Sequence, residues 1–151
     1  MIDKAFYLLL EPGSEPPDIS YLAPFKAIVV LDAEYTTEWQ QKVSAWLVAS
    51  GCRYMMAWGP SCSSWDDSVD WADIDAGGLE DDSRFVLTTW HDNETLEGVF
   101  WYSQFCANFS LNDVELNRAV ILHISRRDRE KSLTWLFDRS KSLAERERDD
   151  D

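Results

Sequence analysis

The sequence predicts an α/β fold: a doubly wound three-layer sandwich with a mostly parallel sheet of about five strands and helices on both faces. Three observations carry that expectation. Short apolar runs alternate along the chain with stretches of helical period. The run Lys26-Ala27-Ile28-Val29-Val30-Leu31-Asp32 is apolar without alternation, which suits a strand covered on both faces. The order strand, strand, helix, strand, helix, strand, helix, strand, helix then places helices on both sides of the sheet, because crossovers between parallel strands are right-handed.

Each element has a local reason. Phe6 to Leu10 is a short apolar run stopped by Glu11-Pro12-Gly13, and the Pro-rich segment to Phe25 is too broken for a long crossover helix. This first strand is therefore expected at an edge, in either direction. After Lys26–Asp32, Thr37 and Gln40 have capping-box spacing. Trp39, Val43, Trp46 and Leu47 follow at helical intervals before Gly51 supplies a C-terminal cap. Tyr54 to Trp58 is the next strand, broken at Gly59-Pro60. Ser63 or Ser64 is placed to cap a helix whose Trp65, Val69 and Ala72 can face the sheet, leaving Asp66, Asp70 and Asp73 to water. Gly77-Gly78 ends it, and an acidic loop leads to a β-branched strand over Phe85–Trp90. Asn93 or Thr95 caps the helix containing Leu96, Val99, Phe100 and Cys106. Ala119 to Ile124 is the last strand and Asp128 to about Arg148 the last helix. Residues 1–148 read as one domain, and Asp149-Asp150-Asp151 as a disordered acidic tail.

Charge separates the chain into two parts. Residues 1–125 hold 6 basic and 20 acidic side chains, whereas residues 126–151 hold 8 of each, so the net charge of −14 belongs to the body. Such a field repels nucleic acid and anionic membrane surfaces and favours cationic partners. Cys52, Cys62 and Cys106 form no Cys-x-x-Cys pair, which points to a reducing compartment. The N-terminus lacks the basic start and long apolar core of a signal peptide, and no run approaches the roughly 20 apolar residues of a membrane span. A cytoplasmic protein that uses no membrane is expected.

Chemistry is concentrated where the predicted strands end. Asp32, Glu34, Gly59, Cys62, His91, Asp92, His123 and Ser125 all lie at or just past strand carboxyl ends, the edge that carries ligands in such sheets. Cys62 near a helix N-terminus, with His91 or His123 as base and Asp32 or Asp92 as orienter, is a coherent thiol constellation. Acidic residues directly after Cys62 oppose thiolate formation, and a half-buried structural cysteine accounts for the same pattern. His91, Asp92, His123 and Asp32 are also possible metal ligands by type, but nothing in their spacing brings them together, and no metal is expected. The nucleophile elbow, the Cys-x5-Arg loop, both glycine-rich phosphate loops and the Ca²⁺ loop are absent, and the strand ending at Trp58-Gly59 lacks a receiver domain's acceptor Asp. No cofactor is expected.

The other signal is acidic. Asp66, Asp67, Asp70, Asp73, Asp75, Glu80, Asp81 and Asp82 fall within one helix and its exit loop, without a base among them and with Trp65 and Trp71 interleaved. Carboxylates around an aromatic anchor suit a basic protein partner, and a solvated helix face is the bland alternative. The segments Tyr54-Met55-Met56-Ala57-Trp58-Gly59, Cys62-Ser63-Ser64-Trp65-Asp66-Asp67-Ser68-Val69-Asp70 and Thr88-Thr89-Trp90-His91 resemble a bacterial family of small acidic α/β proteins of unknown function, and the resemblance implies no activity. The expectation is a non-enzymatic binding protein, a bacterial toxin-immunity protein, that occludes a basic partner through Trp65, Asp66, Asp67, Asp70, Trp71, Asp73, Glu80, Asp81 and Asp82. The alternative is a small hydrolase or transferase using Cys62, His91 and Asp32.

Overall fold

The computed structural model describes residues 5–149. The expectations for residues 1–4 as the start of a non-secreted chain, and for Asp150 and Asp151 as a disordered tail, lie outside the described residues. Five strands, β1 (Phe6–Leu10), β2 (Phe25–Leu31), β3 (Cys52–Trp58), β4 (Leu87–Trp90) and β5 (Ala119–Ile124), form one sheet in the order β1-β5-β2-β3-β4. Every pairing is parallel. The first strand is thus an edge strand, and its direction is now fixed by pairing with β5.

Helices α1 (Thr37–Ser50) and α2 (Ser63–Asp75) cover one face, and α3 (Leu96–Phe105) and α4 (Glu130–Ser140) cover the other. The pleat sorts the side chains. Ala27, Val29 and Leu31 join Val43, Leu47, Trp65 and Val69 in one core, while Ile28 and Val30 join Val99, Phe100, Leu133 and Phe137 in the second. Because β2 is central and covered on both sides, all seven of its residues are buried, as its unalternating sequence requires.

Several boundaries differ from the sequence reading, each for a local reason. Thr36, not Thr37, caps α1: its side chain accepts from the Trp39 amide at 3.2 Å, which leaves Gln40 free to donate to Ser64. Neither Ser63 nor Ser64 caps α2. The helix begins inside a tight turn with Cys62 already helical, and Ser64 Oγ instead donates back to the Ser61 carbonyl at 2.7 Å. Phe85 and Val86 stay out of β4 because the Val86 amide donates to Asp73 Oδ2 at 2.9 Å rather than to a strand. The final helix is two, α4 and α5 (Leu143–Asp149), separated at Lys141-Ser142. The break turns α5 back onto α3, where Arg146 Nη2 donates to Glu97 at 2.7 Å. Asp149 closes α5, so it does not belong to a tail.

Gly59 shapes the carboxyl edge of the sheet, directly after β3. It sits at φ +118°, and a Cβ there would lie 2.8 Å from the Leu31 carbonyl oxygen and 2.9 Å from Leu31 Cβ. Only a residue without a side chain lets the β3–α2 turn press against the end of β2. Gly59→Ala is therefore expected to lower unfolding free energy by about 1–3 kcal/mol, readable as a shift in urea midpoint.

Candidate functional site at the carboxyl edge

β2 and β5 are neighbours whose following helices pass to opposite faces of the sheet, α1 to one and α4 to the other. A doubly wound sheet opens its crevice at such a point, outside the strand carboxyl ends. Asp32 stands there, directly after β2. Its Oδ2 accepts from His123 Nε2 at 2.6 Å, and His123, on β5, is fully buried.

The other ring nitrogen of His123 lies 2.7 Å from Tyr7 Oη, and that oxygen accepts the Arg129 amide at 3.0 Å. Both ring nitrogens of His123 are therefore engaged, Nε2 by the carboxylate and Nδ1 by the phenol, which fixes the orientation of the ring. Burial holds the Tyr7 phenol above its ordinary pKa, which keeps it a donor. Strand alternation explains the meeting: Tyr7 pairs with Ile121, two residues before His123 and on the same sheet face. Arg129 Nη1 approaches Asp32 Oδ2 at 3.9 Å.

The sheet separates the parts of the expected thiol site. Cys62 is buried in the core beneath α1 and α2, whereas His123 and the ring of His91 lie on the α3 side, His91 4.9 Å from Tyr102. His91 Nδ1 contacts Glu94 Oε2 at 2.9 Å and Nε2 contacts Thr89 Oγ1 at 2.9 Å, so both nitrogens are engaged. Glu94, not Asp92 or Asp32, is its carboxylate partner. Cys62, His91 and Asp32 therefore do not converge, and the expected catalytic grouping is corrected on that ground. Of the four residues considered as metal ligands, only Asp32 and His123 meet. Among the described residues no group of three or more His, Cys, Asp and Glu side chains is placed to hold a metal ion.

The acidic segment divides into structural and exposed members. Trp65 is 0% exposed, its indole N–H donating to Tyr35 Oη at 2.8 Å, so it belongs to the core and cannot anchor a partner. Asp73, expected in water, is buried and fastens the entry to β4 through the Val86 amide. Asp70, also expected in water, is half-buried and accepts from Thr88 Oγ1 at 2.8 Å; burial raises its carboxyl pKa. Asp66 is half-buried, while Asp67, Asp75, Glu80, Asp81 and Asp82 are exposed. Asp81 accepts from the Ser83 hydroxyl at 2.6 Å and amide at 3.0 Å, which lowers its pKa and keeps it charged.

Trp71 is 66% exposed and lies one helical turn from both Asp67 and Asp75. These three side chains, with Ser68, Gln41 and Arg84, line a groove of about 660 Å³ between α1 and α2. Among the described residues no helix is long and apolar enough to cross a membrane.

Residues 5–140 match the family described as a domain of unknown function, DUF7684, and the chain belongs to that family. The family agrees with the sequence resemblance in bringing no activity with it. No curated protein and no solved structure matches the chain.

Proposed function

We propose that this chain is a non-enzymatic binding protein that docks or neutralises a basic protein partner through the outer face of α2, and that it serves as a bacterial toxin-immunity protein. The observation that carries the proposal is Trp71, two-thirds exposed between the carboxylates of Asp67 and Asp75. An aromatic ring beside a groove supplies apolar contact, and the flanking charges speed encounter with a cation and reject anions. Leu79, equally exposed, and the exposed carboxylates of Glu80, Asp81 and Asp82 follow α2 directly in the chain. Trp135 is exposed too, but the Arg139 guanidinium lies 5.4 Å from its ring centre, on a helix whose charges balance.

The binding face is narrower than the acidic segment. Trp65 and Asp73 fall outside it because they hold the fold, and Asp70 is partly spent on β4. Occlusion of a cationic cleft then rests on Asp67, Trp71, Asp75, Glu80, Asp81 and Asp82. Nucleic acid does not suit so anionic a surface.

Affinity capture from host extract tests this with two baits, the native chain and the Trp71→Ala variant. A basic protein retained by the first and lost by the second, with the variant's melting temperature unchanged, is the expected outcome. Retention of the same proteins by both baits contradicts the proposal.

A further inference from the structure

A second surface does not depend on the partner reading. A groove of about 850 Å³ opens at the carboxyl ends of β2 and β3, within the size range of small-molecule sites. Its walls include the aromatic side chains Trp58 and Tyr35, the carboxylates Asp32 and Glu34, and the hydroxyls of Ser61 and Ser64; among the described residues no Lys, Arg or His lines it. We propose that this groove binds an organic cation, an alkylguanidinium or alkylammonium group held between the aromatic walls and the two carboxylates.

Three features make it a prepared site. It adjoins the β2/β5 switch point, where doubly wound sheets take their ligands. Asp32 is oriented from beneath by a fully buried His123, itself set by Tyr7, and Oδ2 alone is used in that contact. Trp58 is pinned because its indole N–H donates to the Glu94 carbonyl at 2.7 Å. A cation beside an aromatic ring and a carboxylate gains from both. An anion would meet two like charges instead.

The neighbouring cations define the limit of the site. Arg126 and Arg127 line a separate, smaller groove with Asp32 and Glu34, and Arg129 stays 3.9 Å from Oδ2. They lower the affinity of any cation without filling the groove.

Titration calorimetry of the full chain at low salt with n-butylguanidinium and n-butylammonium tests the proposal, with butyrate and butanol as controls. One-site binding of the cations is expected, with little or none for the controls. Asp32→Asn, which keeps an acceptor for His123, should weaken it by about tenfold or more, and the exposed Glu34→Gln by a few-fold. A short arginine peptide with blocked ends distinguishes the source of the group. Binding as tight as that of the free cation identifies a partner's side chain, and exclusion identifies a free small molecule. The proposal is overturned if neither cation binds at millimolar concentration, if butyrate binds as well, or if both Asp32→Asn and Glu34→Gln bind as the native chain does. Trp71→Ala leaves this binding unchanged, so failure here and failure of the partner surface are separable.

Discussion

Trp65→Ala is expected to cost about 3–5 kcal/mol of unfolding free energy, the range for removing a large aromatic from a packed core. Trp71→Ala, six residues further along the same helix, should stay within about 0.5 kcal/mol of the native chain. The contrast follows from position alone. Trp65 is enclosed against Val69 and the sheet, edge-on to Tyr35 with ring centres 5.6 Å apart, and its removal opens a cavity while orphaning the Tyr35 contact. Trp71 faces solvent. Urea denaturation of both variants measures the difference, and equal losses would contradict the burial of Trp65 and the exposure of Trp71.

Lys26→Met is expected to cost about 2–4 kcal/mol at neutral pH, because it leaves buried acceptors without a donor. Lys26 is 0% exposed, and among the described residues no carboxylate is one of its hydrogen-bond partners. Its ammonium donates to the Ser103 carbonyl, to the Ala107 carbonyl at 3.2 Å and to Asn108 Oδ1 at 3.1 Å, capping the negative end of α3. Desolvation pulls its pKa down from 10.5 to about 8. Between those values the unfolded chain binds the proton and the folded chain does not, so stability rises with pH through that window, by up to about 3 kcal/mol. Cys52 works in the opposite direction: burial pushes its thiol up to about 12, so the unfolded chain loses its proton first and stability falls as pH climbs above 9. The difference between native chain and Lys26→Met cancels the Cys52 contribution. That difference should grow in favour of the native chain between pH 8 and 10.5. A pH-independent difference would show that folding leaves the pKa of Lys26 where it stands in the unfolded chain.

The strands and helices were legible because burial leaves a periodic record. β2 is apolar without a break from Ala27 to Leu31 since both its faces are covered, and the Gly51 cap shows the positive φ of 103° that its type announces. Local chemistry misplaced only the ends, as at Thr36 and at the Ser142 break, where competing hydrogen bonds a few residues away decide. On α2 the pattern misled because acids recur on nearly every turn. Period alone does not tell Asp67, in solvent, from Asp73, whose carboxylate serves a backbone amide thirteen residues later.

The site was legible in pieces. Asp32 and His123 were both placed at the right edge, yet their union depends on β2 and β5 lying side by side, and the role of Tyr7 on the pairing of β1 with β5, across more than a hundred residues. Given that neighbour relation, alternation puts Tyr7 and His123 on one face, while α2 carries Cys62 into the core on the other face, away from both histidines. Lys26 gave no signal, since a lysine at the head of an apolar strand reads as its solvated end.

The central claim concerns charge on α2, and the dependence of association rate on ionic strength tests it most directly. The basic protein captured by the native chain is bound to immobilised native chain and to an Asp67→Asn, Asp75→Asn double variant across a salt series. Steep slowing of the native chain with added salt, and a distinctly shallower slope for the variant, is the predicted result. Two superimposable salt slopes would contradict the account.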